Sequence, residues 1–215
     1  MLLPLLDGMP RPGRLVNTWS TEPDPAYEVA IECMELAYAF RSTAETVPAT
    51  VPYLSVERLR GRGNFIFNDN KAHVGLVWAA SDWDTSRSLA IEDLAPLAVV
   101  PGVVFHSLQQ GLRGAEIALS PLPLDALARR TAEVADAAAA MLALDLVITV
   151  DTMAAHLAGA LGRPVWLILR HEADWRWIRA RDRSPWYPTM RIFWQPQAGD
   201  WRSVMERVAR ELCLF

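Results

Sequence analysis

The chain has 215 residues, 52% of them hydrophobic, with 21 basic and 25 acidic side chains; this excludes wholesale disorder and, for want of a dense basic face, nucleic acid as the main partner. Its two cysteines, Cys33 and Cys213, lie far apart and form no CxxC pair, which argues against a disulfide framework or a structural zinc site and for a reducing, cytoplasmic setting. The opening "MLLPLLDGMPRPG" lacks the basic and long apolar regions of a signal peptide, and no apolar run reaches the roughly 20 residues that span a bilayer.

Residues 1–45 form an appendage in which "DPAYEVAIECMELAYAFRS", residues 24–42, reads as one helix. A connector over 46–73 begins with the proline-punctuated "ETVPATVPYL". From Val74 onward strands and helices alternate. "VGLVWAA" predicts a strand, "AIEDLAPLAVV" a helix stopped at Pro101-Gly102, and "VVFHSL" the next strand. "EIALSP" predicts a weak strand, and the Ala-rich 127–144 run one long helix. Then follow strand "LVITV", helix "MAAHLAGAL" ending at Gly162, strand "PVWLIL", strand "MRIFW", and a closing helix capped by Asp200. Continuous apolar strands alternating with helices predict an α/β domain over 74–215, a doubly wound, mostly parallel Rossmann-like sheet. Such sheets bind ligands at the carboxyl ends of their strands.

Four junctions at that edge carry polar residues. In "VITVDTMAAH" a strand stops on Asp151-Thr152 just where a helix starts. Either side chain can cap the helix, and the same open N–H groups with the positive helix end can hold a phosphate. Ala154 and Ala155 let such an anion approach closely, and His156 shares a helix face with Thr152. "WAASDWDTSRSL" carries Ser81, Ser86, Arg87 and Ser88, a phosphate-binding set or a solvated loop. "HSLQQG" offers His106, Gln109 and Gln110, either to a sugar or base or to their own turn. In "HEADWRWIRARDRSPWYPTM", Trp175, Trp177 and Trp186 either stack on a ligand ring or wedge the segment against the sheet. No G-x-G-x-x-G, P-loop, G-x-S-x-G or H-E-x-x-H string is present, so dinucleotide, P-loop, hydrolase and zinc-protease readings have no foothold.

Taken together, "VGLVWAAS…SRSL", "FHSLQQG", "LDLVITVDTMAAHLAGALGRPVWLIL" and "DWRWIRARDRSPWYPTMRIFWQ" resemble the C-terminal half of bacterial glycosyltransferases that often follow tetratricopeptide repeats, related to the heptosyltransferases of glycosyltransferase family 9. The resemblance covers about residues 46–212. It implies half of a GT-B fold, two Rossmann-like domains facing a cleft, with the donor in this half. It also implies donor contacts at Asp151, Thr152, Met153 and Ala154 with His156 beside them, and similar roles for Ser81, Arg87 and Gln109. The nucleoside-diphosphate sugar would be substrate, with no separate cofactor and no metal, and the reaction an inverting transfer to a saccharide or protein. The loop reads "AASDWD" where that family commonly has a "GNP" style. Residues 1–45 are too few for the family's amino-terminal domain, so a protein partner or second copy is expected to supply that half, and no catalytic base is assigned. An alternative is a GT-B-derived assembly module without donor chemistry. A different nucleotide-binding α/β protein would explain the alternation but not the specific strings.

Overall fold

A computed structural model describes residues 3–6, 9, 13–17, 26–55, 57–59 and 61–215. Six strands form one sheet: β1 (Ala72–Val77), β2 (Val103–Ser107), β3 (Leu124–Asp125), β4 (Leu146–Val150), β5 (Val165–Leu169) and β6 (Met190–Trp194). Their order is β3-β2-β1-β4-β5-β6, and every pairing is parallel. The α-helices are α1 (Leu3–Leu6), α2 (Leu36–Ala39), α3 (Val134–Ala143), α4 (Met153–Ala160) and α5 (Trp201–Leu212). This is the doubly wound α/β sheet expected from the alternation.

Alternate side chains of each strand enter two separate cores. Val147 of β4 and Val165, Leu167 and Leu169 of β5 pack with α3 and α4. Leu146, Ile148 and Val150, with Trp166 and Ile168, pack on the other face against Val204, Met205 and Val208 of α5. Every residue of β4 and β5 is buried, as parallel strands covered on both faces require. The connector joins the first core through Leu54 and Leu59, and Tyr53 N donates to Ala160 O at 3.0 Å. Neither sheet edge is open along its length. β3 has two residues, and beside β6 residues 182–184 fold back, with Ile192 N donating to Asp182 O at 2.7 Å and Ser184 N to Met190 O at 3.2 Å.

β4 and β6 span the expected residues, and α5 is capped by Asp200, which accepts from Ser203 N at 3.1 Å. Four expectations are corrected. The helix over 24–42 is only a 3-10 turn, Cys33–Glu35, followed by the single turn α2, with Asp24 and Pro25 outside the described residues. Tyr27, Val29, Tyr38 and Phe40 of that segment are largely exposed, so no packing supports a longer helix. The segment after Ala90 is a 3-10 helix, Ile91–Val99, containing Pro96, which cannot donate an intrahelical bond. "EIALSP" lies largely in a second 3-10 helix, Leu112–Leu119, where Glu116 accepts from Trp78 Nε1 at 2.8 Å; the strand falls later, at Leu124. The long helix from 127 is cut at Thr131, whose hydroxyl bonds Ala128 O at 2.9 Å and Gln110 Nε2 at 2.8 Å. It restarts where Glu133 N donates to Asp136 Oδ2 at 3.0 Å.

Gly75 in β1 leaves no room for a side chain: an added Cβ would stand 2.6 Å from Leu108 Cδ1 and 2.7 Å from Leu144 Cδ1. Gly75→Ala is therefore expected to cost about 1–3 kcal/mol by overpacking, measured by urea denaturation. Unchanged stability would show that the two leucines move aside freely.

Candidate functional site

Strand order reverses between β1 and β4, where one crossover runs to β2 and the other toward β5. Loops leaving the two strands diverge there and open a crevice, the usual ligand position in such sheets. The loop after β1 is held by Gln109, whose Oε1 accepts from Trp78 N and Ala79 N at 3.1 and 2.8 Å while its Nε2 donates to Ala79 O at 3.1 Å. Asp84 then caps a 3-10 turn, Thr85–Arg87. Arg87 Nη1 reaches across to donate to the Asp151 carbonyl at 3.2 Å, tying the β1 exit to the β4 exit.

At the β4 exit Thr152, not Asp151, caps α4: its Oγ1 accepts from Ala154 N at 3.2 Å. Asp151, 8% exposed, keeps its carboxylate out of the cap. A cavity of about 550 Å³ lies between the two exits, lined by Ser81, Arg87, Gln109, Asp151, Thr152, Met153 and Ala154 among others. A second, of about 490 Å³, shares Arg87, Asp151, Thr152 and Met153 with the first and adds Trp83, His156, Arg170 and Arg176. The expected site residues are thus brought together around one crevice. Another cavity, about 720 Å³, lies between α5 and the 3-10 helix Ile91–Val99, away from the strand ends.

Three arginines surround the second cavity. Arg170 Nη1 pairs with Asp84 Oδ2 at 3.0 Å and donates to Ser86 Oγ. Arg176 grips Asp174 through Nε and Nη2 at 2.8 and 3.1 Å. Hydrogen bonding from Ser86, with Arg170 and Arg87 nearby, holds Asp84 below the usual carboxylate range. Burial pushes Asp174 up, but the bonds from Arg176 prevail and leave it lowered. With Asp151, these three cations and three anions sum to zero. An anion entering here would have to exchange partners with Asp84 and Asp174 instead of meeting bare charge. Arg87 Nε and Arg170 Nε are buried without a hydrogen-bond partner among the described residues, donors that such an exchange can satisfy.

His156 lies on α4 between this crevice and an aromatic shell. Arg176 Nη1 is 3.4 Å from His156 Nε2; an arginine only donates, so Nε2 accepts, and Nδ1 donates to Tyr187 Oη at 3.0 Å. The Tyr187 hydroxyl meets that of Tyr53 at 3.5 Å. Trp177 stacks on the imidazole at 5.3 Å, and an alanine at Gly159 would drive its Cβ to 2.6 Å from the Tyr187 ring. Burial lowers the His156 pKa, and Arg176 adds to this against Asp151 and Asp174.

Several sequence candidates are otherwise engaged. Gln109 lines the crevice, but its amide is spent on backbone. Gln110 bonds Thr131 and Ala128, tying its turn to the distant 128–131 segment rather than to a ligand or to itself. His106 is buried inside β2 and lines neither cavity. Trp177 is buried and Trp186 Nε1 donates to Arg176 O at 2.8 Å, the wedging role; Trp175 stays 61% exposed. Sequence reading missed Arg170 and Arg176. Arg170 directly follows β5, a position that signals a rim residue; Arg176 is hidden among aromatics.

No family model matches the chain. Protein FlbA of Caulobacter vibrioides is 33% identical over 149 residues, which are 65% of this chain and 24% of FlbA. The chain thus spans about a quarter of that curated relative. Its fold is that of about half a heptosyltransferase. A glycosyl transferase of family 9 from Veillonella parvula aligns with a TM-score of 0.53 at 15% identity, over 69% of this chain and 48% of its own. Escherichia coli heptosyltransferase WaaC, solved with ADP-2-deoxy-2-fluoro heptose, gives 0.52 at 13%, over 81% and 52%. ADP-heptose heptosyltransferase II from the same organism gives 0.50 at 17%, over 68% and 48%.

His156 is expected to stay neutral at pH 7 and to titrate below the ordinary histidine value of about 6.5, read by side-chain NMR. Because the folded state then binds fewer protons than the unfolded, this residue withdraws stability as pH falls through that value. Titration of His156 at or above 6.5 would contradict its assignment as a neutral acceptor from Arg176.

Proposed function

We propose that the chain binds a nucleoside-diphosphate sugar in the crevice between β1 and β4 and is the donor half of a GT-B glycosyltransferase of the heptosyltransferase type. The observation that carries this is the meeting of Asp151-Thr152, the amino end of α4, and Arg87, Arg170 and Arg176 around one pair of contiguous cavities. The positive helix end and the guanidinium groups suit a diphosphate and stabilise the charge that develops on it as the glycosidic bond breaks. The broader cavity beside Ala79 and Gln109 takes the nucleoside, and Asp151 and His156 face the sugar. The expected donor domain, 74–215, reaches back to Ala72 with β1, the rest of 46–73 is the connector and 1–45 an appendage; the connection to tetratricopeptide-repeat enzymes belongs to the same reading.

Inverting transfer also needs a base for the acceptor hydroxyl. In this reading the base and acceptor site belong to the second half of the GT-B fold, for which a protein partner or another copy is one source, and the enzyme works in the cytoplasm with the donor as substrate and no separate cofactor. No helix among the described residues is long and apolar enough to cross a membrane. The alternative, an assembly module without donor chemistry, is favoured by one observation: Tyr27, Val29, Met34, Tyr38 and Phe40 expose a run of apolar surface.

Calorimetric titration with UDP, GDP, ADP and dTDP separates the two. Binding of one nucleotide is expected, weakened by Asp151→Ala, and weakened about ten- to a hundredfold by Arg87→Ala, the loss of one or two charge-assisted hydrogen bonds at about 1.5–3 kcal/mol. No binding to any of them by the folded protein would favour the assembly module. Undiminished affinity in the Arg87 variant would remove that residue from the site.

A further inference from the structure

Two of the chain's four histidines meet inside the sheet, and neither lines the crevice. His73 is the second residue of β1, and His106 the fourth of β2. The register sets Gly75 opposite His106 and His73 opposite Val104, so both imidazoles lie on one face of the sheet. They are 6% and 2% exposed. His73 Nδ1 and His106 Nε2 are 2.9 Å apart. At the outer ends, His73 Nε2 lies 2.7 Å from Asp69 Oδ1, and His106 Nδ1 lies 2.9 Å from Asp125 Oδ2. Phe67 covers the pair, stacked on His73 at 4.2 Å and tilted over His106 at 4.6 Å.

Counting protons decides the state of this chain. Each carboxylate needs an N–H from the imidazole beside it, which places one hydrogen on His73 Nε2 and one on His106 Nδ1. The central N···N contact at 2.9 Å needs one more. Two neutral rings in this arrangement would set two lone pairs face to face, and two imidazolium rings would set two N–H groups face to face with like charge. Only three hydrogens on four nitrogens make all three contacts hydrogen bonds. The group therefore carries one positive charge between two carboxylates.

We infer that Asp69, His73, His106 and Asp125 form a latch that shares one extra proton and fastens the 67–71 segment to β1, β2 and β3, releasing it when that proton is lost or another is gained. The surrounding charges fit. Arg130 pairs with Asp125 at 3.0 Å, the Asp145 carboxylate accepts from His73 N at 2.8 Å, and Lys71 N donates to Asp69 at 3.2 Å. The hydrogen bond from His73 holds Asp69 below the usual carboxylate range, keeping it an acceptor. Burial lowers His106 against the pull of Asp125, which opposes entry of a fourth hydrogen.

The pair titrates in two coupled steps. Burial opposes gain of the fourth hydrogen at His106, while the three contacts at 2.7–2.9 Å hold the third in place. The latch's stabilisation is complete between the two steps. It is lost as pH rises through the upper step and again as pH falls through the lower one.

The test is side-chain ¹⁵N NMR of the full chain across pH, with amide exchange of residues 67–71 followed in the same samples. The expected result is two separate steps, three protonated nitrogens between them, and slow exchange of the segment only in that window. Asp69→Asn should lower the upper step by at least one pH unit, a tenfold loss of proton affinity. Two independent titrations near 6.5, or exchange of the segment unchanged across both steps, would overturn the proposal on the unsubstituted protein alone.

Discussion

The bond from Arg87 to the Asp151 carbonyl spans the point at which the sheet changes direction. A parallel sheet buried on both faces takes few polar side chains along its strands, here His73, His106, Ser107 and Thr149, so most polarity collects where the chain leaves them. At the β1 and β4 exits the crossovers part to opposite sides, and nothing in the backbone ladder ties the two together beyond Val77 and Thr149. Arg87 does so with a single guanidinium. Beside that span lie the crevice walls, the cap by Thr152 and the pair of Arg170 with Asp84.

Five of the six strands and the last two helices were readable because their signals are local. A run such as "LVITV" fits only a strand covered twice, and "DTMAAHLAGALG" carries its own start and stop. What was not readable depended on distant partners. Alanine content alone favours one helix from 127, but Gln110 captures Thr131 from another loop and Asp136 restarts the helix. The apparent strand at "EIALSP" yields to Glu116 bonding the Trp78 indole. The crevice was legible to the extent that its residues follow strands; hence Arg87, Asp151 and Thr152 were found. Arg176 was not, because only the fold brings the tryptophan loop back over α4. His106 shows the opposite failure: a polar residue in a promising string turned inward to another histidine.

Around the crevice, neutrality is as informative as charge. Three arginines beside a cavity suggest a standing positive field, yet Asp84, Asp174 and Asp151 cancel it. Such an arrangement holds guanidinium groups in fixed directions before any ligand arrives, at the cost of competition when one does. The aromatic shell performs the same service for His156, with Trp177 below, Tyr187 at one nitrogen and Arg176 at the other.

The two sheet edges bear on how another polypeptide can approach this one. At one side the outermost strand is two residues long, too short to template an added strand; at the other, residues 182–184 already occupy donors and acceptors of β6. Lengthening the sheet, the commonest route by which α/β and β proteins join edge to edge, is closed in both directions. A partner must therefore come by side-chain contact, over a helical layer or across the rim where the strands end. A contact with another chain here would use fitted side-chain surfaces rather than a shared backbone ladder, and strand-breaking prolines would leave it untouched.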